Sequence, residues 1–435
     1  ETKLVEWCTA PDTWQAEFVA TSSTTVFNEW PSIIDLFPWQ HSGVQYKRTW
    51  PIGELQSVLE ERWQALLSSD NRATAFRETG AWKITKSFPP LLLSEEKQPA
   101  ISELSGTEDP PTILGYGFRS FDRQWAFADK RLGDRLRPPL WRIYSESQVY
   151  LTSLLSGVLG DGPAATVSAF VPDLHHFCNR GGKDVVPLWR DPNATEPNLS
   201  STLRHALASA LGAPVPPESV LAYTYAVLCN PGYVTRFEDE LQVPGPRLPL
   251  TKDPEVFKRG VELGREVLRW HTYGERFHDD NDAFELSGNA EVITEIPSSW
   301  DSYPKRHKYH TKRQVLQVGD GEIGPVSEAV WNFSVSGLQV VKSWLDYRMK
   351  AGAGKKSSPL DDIRPERWTK EMTQELLELL WVLEWTIDKY PELDAWLDEV
   401  MESELFTADE IPEPTDAERK APKVKRHSKQ TNLLT

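Results

Sequence analysis

The sequence predicts an α+β protein, with a mixed sheet-containing body followed by a more helical C-terminal half. Two patterns carry that expectation. From about residue 113 to 170 the chain runs in short apolar or alternating stretches broken by Gly, Asp and Pro, the texture of strands and turns. Beyond residue 216, apolar positions recur at helical spacing over longer stretches. Hydrophobic residues at 39% and charged residues at 26% are enough to bury a core, and 435 residues suit two or three packed units.

Each element has a local reason. A first segment, to about residue 68, closes with an amphipathic helix whose Leu55, Val58, Leu59, Trp63, Leu66 and Leu67 share a face. Strands are expected at 113–116, 125–127, 149–152 and 165–171, and a turn-forming stretch at 191–202 marks a boundary or a long surface loop. Helices follow at 217–228 and 254–271, the second with Val256, Phe257, Val261, Leu263, Val267 and Leu268 on one side. A third helix, from about 369 to 405, carries Leu376, Leu377, Leu379, Leu380, Leu383, Trp385 and Ile387 on a stripe broad enough to need a packing partner. The expected divisions are 1–110, 111–215, 216–350, 360–406, and a polar, basic tail at 407–435 expected to be disordered.

Composition narrows the function classes. Cys8, Cys178 and Cys229 lie far apart with no Cys-x-x-Cys pair, which supports neither a disulfide framework nor a zinc ribbon and fits a reducing cytoplasm. The most apolar run, residues 376–385, still carries Glu378 and Glu384, so no membrane span is expected. Glu1 in place of an initiator methionine reads as an excised or processed chain. The net charge of −16 opposes nucleic-acid binding by the surface as a whole, but clustering decides the matter locally. Residues 305–313 read Lys-Arg-His-Lys-Tyr-His-Thr-Lys-Arg, and Lys130, Arg131, Arg135, Arg137 and Arg142 surround Pro138-Pro139.

Familiar catalytic patterns do not appear. There is no Gly-x-x-x-x-Gly-Lys-Ser/Thr phosphate loop and no Gly-x-Ser-x-Gly nucleophile elbow. His175, His176 and Cys178 resemble metal ligands by type, yet no second ligand pair stands at zinc-site spacing, so structural roles are expected. Glu95-Glu96-Lys97 after an apolar run, with Asp70 as a partner acid, is a short nuclease-like pattern of the kind chance supplies. The 18 tryptophans could form a sugar-stacking platform, but Trp63, Trp344, Trp381 and Trp385 sit in apolar periodic contexts that favour a core.

Five motif blocks occur in a recognisable order. Residues 116–132 read Tyr-Gly-Phe-Arg-Ser-Phe-Asp-Arg-Gln-Trp-Ala-Phe-Ala-Asp-Lys-Arg-Leu, followed by Arg137-Pro138-Pro139-Leu140-Trp141. Ser42-Gly43-Val44 precedes Arg48, and Pro172-Asp173-Leu174-His175 precedes Gly181-Gly182. Tyr223-Thr224-Tyr225-Ala226-Val227-Leu228 leads through Pro231 and Tyr233 to Pro246-Arg247-Leu248-Pro249. Trp331-Asn332-Phe333 leads to Gly337-Leu338-Gln339-Val340-Val341-Lys342-Ser343-Trp344-Leu345. Over roughly residues 25–350 the chain resembles the C-terminal specificity, or target-recognition, domain of type ISP restriction-modification enzymes and related adenine-specific DNA methyltransferases. It departs from that pattern at Thr49, where the family usually has Asp, and at Ser120, where it has Pro.

The resemblance implies a sequence-specific DNA-recognition module of a restriction-modification or phage-defence system. It implies double-stranded DNA and the methyltransferase domain of the parent chain as partners. Residues 1–110 would join that domain to an α/β recognition subdomain at 111–215 and a mostly helical one at 216–350. The S-adenosylmethionine site and the Asn-Pro-Pro-Tyr loop of such enzymes are missing from this sequence, so no cofactor is expected in the chain and no methyl transfer by it alone. Phosphate contacts set register and base-edge contacts set sequence. The candidates for either are Lys47, Arg48, Arg119, Arg123, Arg131, Arg135, Arg137, Lys183, Lys305, Arg306, Lys308, Lys312 and Arg313. Arg119 and Asp122 are also candidates for a pair that holds the fold, and Arg247 between its prolines for the same role. The rival functions are a carbohydrate-binding or hydrolytic domain and a protein-interaction scaffold.

Overall fold

The computed structural model describes residues 26–92, 98–178, 184–278, 284–352, 356 and 358–423. A short helix α1 (Ile33–Leu36) precedes strands β1 (His41–Ser42) and β2 (Ile52–Gly53), then helices α2 (Gln56–Ser68) and α3 (Arg72–Phe76). Next come β3 (Ile113–Arg119), β4 (Asp122–Phe127), α4 (Pro138–Arg142), β5 (Tyr150–Ser153), β6 (Ala165–Ser168), β7 (Val171–Pro172) and β8 (Asp184–Pro187). Helices α5 (Ser201–Leu211), α6 (Pro217–Leu228), α7 (Pro231–Arg236) and α8 (Pro254–His271) open the second half. A small sheet of β9 (Glu291–Thr294), β10 (His307–His310), β11 (Val315–Val318) and β12 (Gly321–Gly324) interrupts it before α9 (Glu328–Trp331), the β13 (Ser334–Val335) and β14 (Leu338–Gln339) hairpin, α10 (Val340–Arg348) and α11 (Lys370–Glu402).

The α+β expectation holds, with strand content concentrated before residue 190 and a helical C-terminal region. Two four-stranded sheets make the body, one in the order β1-β8-β5-β6 and one in the order β2-β4-β3-β7. The β3–β4 hairpin turns at Ser120-Phe121, where Phe121 takes a left-handed φ of 63°. The Ser120 amide donates to the His176 carbonyl at 2.6 Å, a bond that the family's proline could not make. Departure from the pattern at this position is therefore matched by a local hydrogen bond.

Helices α6 and α8 lie in the largest apolar core, which also takes in residues 27–37, β5, β6 and the apolar faces of α10 and α11. That core is continuous across residues 215–216. Every side chain of α6 from Ser219 to Leu228 is buried, so this helix is enclosed on all sides. α8 carries glycine at 260 and 264 on its buried face: a Cβ on Gly264 would stand 1.9 Å from the Ala222 carbonyl oxygen, and one on Gly260 would meet the Trp396 ring at 2.1 Å. Because the obstacle at Gly264 is backbone, Gly264→Ala is expected to destabilise the protein by about 3 kcal/mol, seen as a lower urea midpoint at unchanged slope. α11 packs its apolar stripe as the sequence predicts, and continues through Pro391, whose missing N–H removes one ladder bond from this long helix.

Residues 407–423, expected as unfolded tail, are instead laid against the body. Arg190 donates to the carbonyls of Glu418 and Lys420 at 2.8 Å each, Glu418 accepts from the Ser201 amide at 2.9 Å, and Arg419 pairs with Asp35 at 2.6 Å. Glu418 and Arg419 of this segment are thus held by residues more than 200 positions away, a pairing that local composition cannot reveal. Residues 424–435 lie outside the described residues.

Two histidines are sealed in the core. His176 Nδ1 lies 2.9 Å from Thr152 Oγ1, and His271 lies between Tyr225 (2.6 Å) and Thr386 (2.8 Å). Burial lowers both to a pKa of about 3 from the ordinary 6.5, so both are neutral in the folded protein. As pH falls the unfolded chain takes up these protons first. Their contribution is complete above pH 6.5 and is lost between about 6.5 and 3, by about 1.4 kcal/mol per pH unit per histidine. A urea midpoint that falls from pH 7 to pH 5, and falls less in a His176→Gln/His271→Gln variant, is the expected result; equal midpoints at both pH values would remove this account.

Candidate nucleic-acid interface

Several candidate cations are drawn inside by carboxylates or carbonyls. Arg48 is 3% exposed, bonds Asp134 at 2.8 Å and the carbonyls of Phe76 and Arg77, and lies over the Phe76 ring. Arg131 chelates Asp129 with bonds of 2.5 to 3.1 Å and donates to the Pro99 carbonyl. Arg119 bonds Asp173 at 2.9 Å and the Tyr347 hydroxyl at 3.3 Å, while Tyr116 donates to the other Asp173 oxygen at 2.8 Å. Burial alone would lower the Arg119 pKa, but the Asp173 charge together with Tyr347 and Tyr116 outweighs it and holds it above the usual value.

The expected Arg119–Asp122 pair does not form. These two residues face each other across the β3–β4 register, yet Arg119 turns to Asp173 and Asp122 bonds Arg348 of α10 at 2.9 Å. Arg123 reaches Glu378 of α11 at 2.7 Å and lies 3.7 Å over the Tyr273 ring. Arg247 holds the fold, as expected, by donating to the Trp30 carbonyl at 2.5 Å. The Tyr-Gly-Phe-Arg-Ser-Phe-Asp-Arg block is thus a joint: its charges fasten the β3–β4 hairpin to β7 and to the two C-terminal helices.

What remains near Pro138-Pro139 is a different population. Residues 45 and 135 are tied by reciprocal backbone bonds of 2.9 Å, and Lys47 and Arg137 both take left-handed φ values, 58° and 51°. Such strain in non-glycine residues persists only where neighbours impose it. Arg137 caps α4, whose first turn needs no amide hydrogens and so accepts two prolines, and donates to the Gly43 carbonyl at 3.4 Å. Arg135 is exposed, while Lys130, Arg137, Arg142 and His41 are half-buried. Burial, then the charges of Arg137 and Arg142, lowers the Lys130 pKa; burial, then Arg135, lowers that of Arg137; burial lowers that of His41, with Arg137 adding to the effect.

The cations press on one another, and among the described residues none of Lys130, Arg135, Arg137 and Arg142 has a carboxylate ion-pair partner. Lys47 extends the cluster, although Asp134 stands 3.5 Å from its ammonium, and Trp82, which donates to the Lys130 carbonyl, brings the exposed Lys83 and Lys86 to its border. Lys130 and Arg142 belong to the island visible in the sequence, whereas no local signal marks His41, Lys83 or Lys86. Lys183 lies outside the described residues.

The second island is the β10–β11 hairpin. Lys305, Arg306, Lys308 and Lys312 are exposed without a carboxylate partner among the described residues, whereas Arg313 binds both carboxylate oxygens of Glu322 at 2.9 and 2.7 Å. His307 turns inward to Asp346 at 2.8 Å.

The other candidate sites separate in the same way. His176 is buried on Thr152, Cys178 is buried and His175 half-buried in the same segment after β7, and Glu95 to Lys97 lie outside the described residues. Trp30, Trp39, Trp50, Trp63, Trp141, Trp368 and Trp396 are each less than 2% exposed and build core, whereas Trp300 is half exposed. Among the described residues no helix is long and apolar enough to cross a membrane.

The model of the type ISP C-terminal specificity domain matches residues 35–379 of this chain. No curated protein matches it. Three solved structures are similar in fold. The DrdV–DNA complex has a TM-score of 0.58 at 14% identity, over 85% of this chain and 38% of that one. The ATP-dependent type ISP restriction-modification enzyme LlaBIII, bound to DNA, has a TM-score of 0.55 at 16% identity, over 90% and 24%. A nuclease-deletion mutant of the type ISP enzyme LlaGI, in complex with a DNA substrate mimic, has a TM-score of 0.52 at 16% identity, over 85% and 29%. This chain therefore spans between 24% and 38% of the length of these proteins.

Proposed function

This chain belongs to the family of type ISP C-terminal specificity domains, and from that premise we propose that it is the target-recognition module of a restriction-modification enzyme and binds double-stranded DNA. The observation that carries the reading is the cluster of Lys130, Arg135, Arg137 and Arg142, in which Lys130 feels the charges of Arg137 and Arg142 and Arg137 that of Arg135, and no member has a carboxylate ion-pair partner among the described residues of a chain of net charge −16. Bringing like charges together is unfavourable in the free protein, and phosphate is the ligand that relieves it. DNA in the DrdV and LlaBIII structures, and the substrate mimic in that of LlaGI, is the partner carried over to this chain.

The recognition module sits in a longer enzyme on this reading. The parent supplies a methyltransferase domain that binds S-adenosylmethionine and methylates a flipped adenine, and the whole acts in the cytoplasm. The chain by itself transfers no methyl group. Anisotropy of a labelled duplex titrated with the 435-residue chain tests the DNA assignment: log affinity should fall linearly with log salt, with a slope near −0.9 per phosphate contacted, hence about −3 to −4 for this cluster. No binding at 50 mM salt, or affinity indifferent to salt, would falsify it.

A further inference from the structure

The β10-β11-β12-β9 sheet has one face on the helical half and one in solvent. Alternation in β10 sends His307 and Tyr309 inward, where Tyr309 stacks on Trp331 at 5.1 Å between ring centres, and sends Lys308 and His310 outward. The register lines up one residue from each of three strands on the outer face: Lys308 opposite Gln317, and Gln317 opposite Glu322, next to an irregularity in the β12–β9 pairing. Such a row steps across the sheet at about 4.8 Å per strand. Its members are a cation, a carboxamide and a carboxylate.

Two of these groups are held in place before any ligand arrives. His310 Nε2 lies 2.9 Å from Gln317 Oε1, and Gln317 Nε2 donates to the Gly319 carbonyl at 3.1 Å. Arg313 holds the Glu322 carboxylate with two bonds. Lys305, Arg306 and Lys312 flank the row with exposed charge.

Resting on the reading of the chain as a duplex-binding module, we propose that this row enters the major groove and reads base edges, with Gln317 as the specificity-determining residue for an adenine. The major groove, about 12 Å wide, admits a two-stranded ribbon. After its bonds to His310 and Gly319, the Gln317 carboxamide keeps one acceptor lone pair and one N–H, the pair that adenine N6 and N7 complement. Glu322 beside it offers an acceptor to cytosine N4, and Lys308 a donor to guanine. The flanking lysines and Arg306 take phosphates and so fix the register. His310 is a positioning residue, orienting the carboxamide without touching the base.

Binding-site selection from a randomised duplex library tests this with the 435-residue chain and its Gln317→Ala, Gln317→Glu and His310→Ala variants. The wild-type chain is expected to enrich a site containing an A·T pair. Gln317→Ala should lose preference at that pair alone, with affinity for the selected site down about 10- to 100-fold while random-duplex affinity and salt slope stay put. Gln317→Glu should move the same position towards C·G, and His310→Ala should blur it, with recovery in His310→Gln, which keeps an N–H donor. Thermal melting of each variant confirms folding. Gln317 variants that select the wild-type sequence with equal stringency overturn the inference, as does a wild-type chain that binds duplex but enriches no sequence. A wild-type chain that binds no duplex overturns the DNA reading beneath it instead.

Discussion

Replacing Lys130, Arg135 and Arg137 together by glutamine is expected to lower duplex affinity on the order of 100-fold at 0.15 M salt and to leave folding intact. Each phosphate contact removed reduces the salt slope by about 0.9, so the triple variant should lose nearly three units of slope. Folding is spared because no ion pair ties any of the three side chains to a carboxylate among the described residues, and removing mutually repelling cations relieves strain in the free protein. Arg135 is exposed, and the Arg137 side chain has one long bond to a carbonyl. The control is Arg131→Gln, from the same stretch of sequence. Its guanidinium is engaged by Asp129 and Pro99, so its substitution should reduce stability and leave the salt slope of the folded protein unchanged. Equal slopes for the triple variant and the wild-type chain would place the phosphate contacts elsewhere.

The second large effect concerns stability. Asp122→Ala or Arg348→Met is expected to cost about 3 to 5 kcal/mol each, because either leaves an uncompensated charge in the interior. Arg348 is fully buried and Asp122 3% exposed; Arg348 also lies 3.7 Å over the Trp344 ring, with Glu375 at 3.6 Å as a second carboxylate. Burial pulls the Arg348 pKa down, and the two acids more than restore it. In the double variant both desolvated charges disappear together, so the combined loss should fall well short of the two single losses added. Urea denaturation of the four proteins measures this directly; single losses under about 1 kcal/mol would mean that water reaches the pair.

The same pair shows why the motif blocks could be recognised before their roles were understood. Tyr116, Arg119, Asp122 and Arg123 occur within eight residues, and their side chains run to Asp173, Arg348 and Glu378. A motif that joins β3 and β4 to β7, α10 and α11 resembles, in sequence, a motif that contacts a ligand. Both place charged residues in a fixed order, and only the partner tells them apart.

Helices at 217–228 and 254–271 were legible in the sequence to the residue, because proline starts, capping groups and apolar spacing act within a few positions. The β3–β4 hairpin and the long C-terminal helix were legible for the same reason, and the ordered motifs carried the family. The fate of each arginine was not. Arg131 is buried while Arg135 is exposed and Arg137 half-buried, although all three lie in one basic stretch that the sequence presents alike, and Arg48 of the Ser-Gly-Val block is buried as well. Burial depends on which carboxylate or carbonyl the fold delivers: Asp134 reaches Arg48 from 86 positions away, and Asp122 reaches Arg348 from 226. Charge desolvation is favourable only with such a partner in place, and the partners are brought together by the tertiary structure alone.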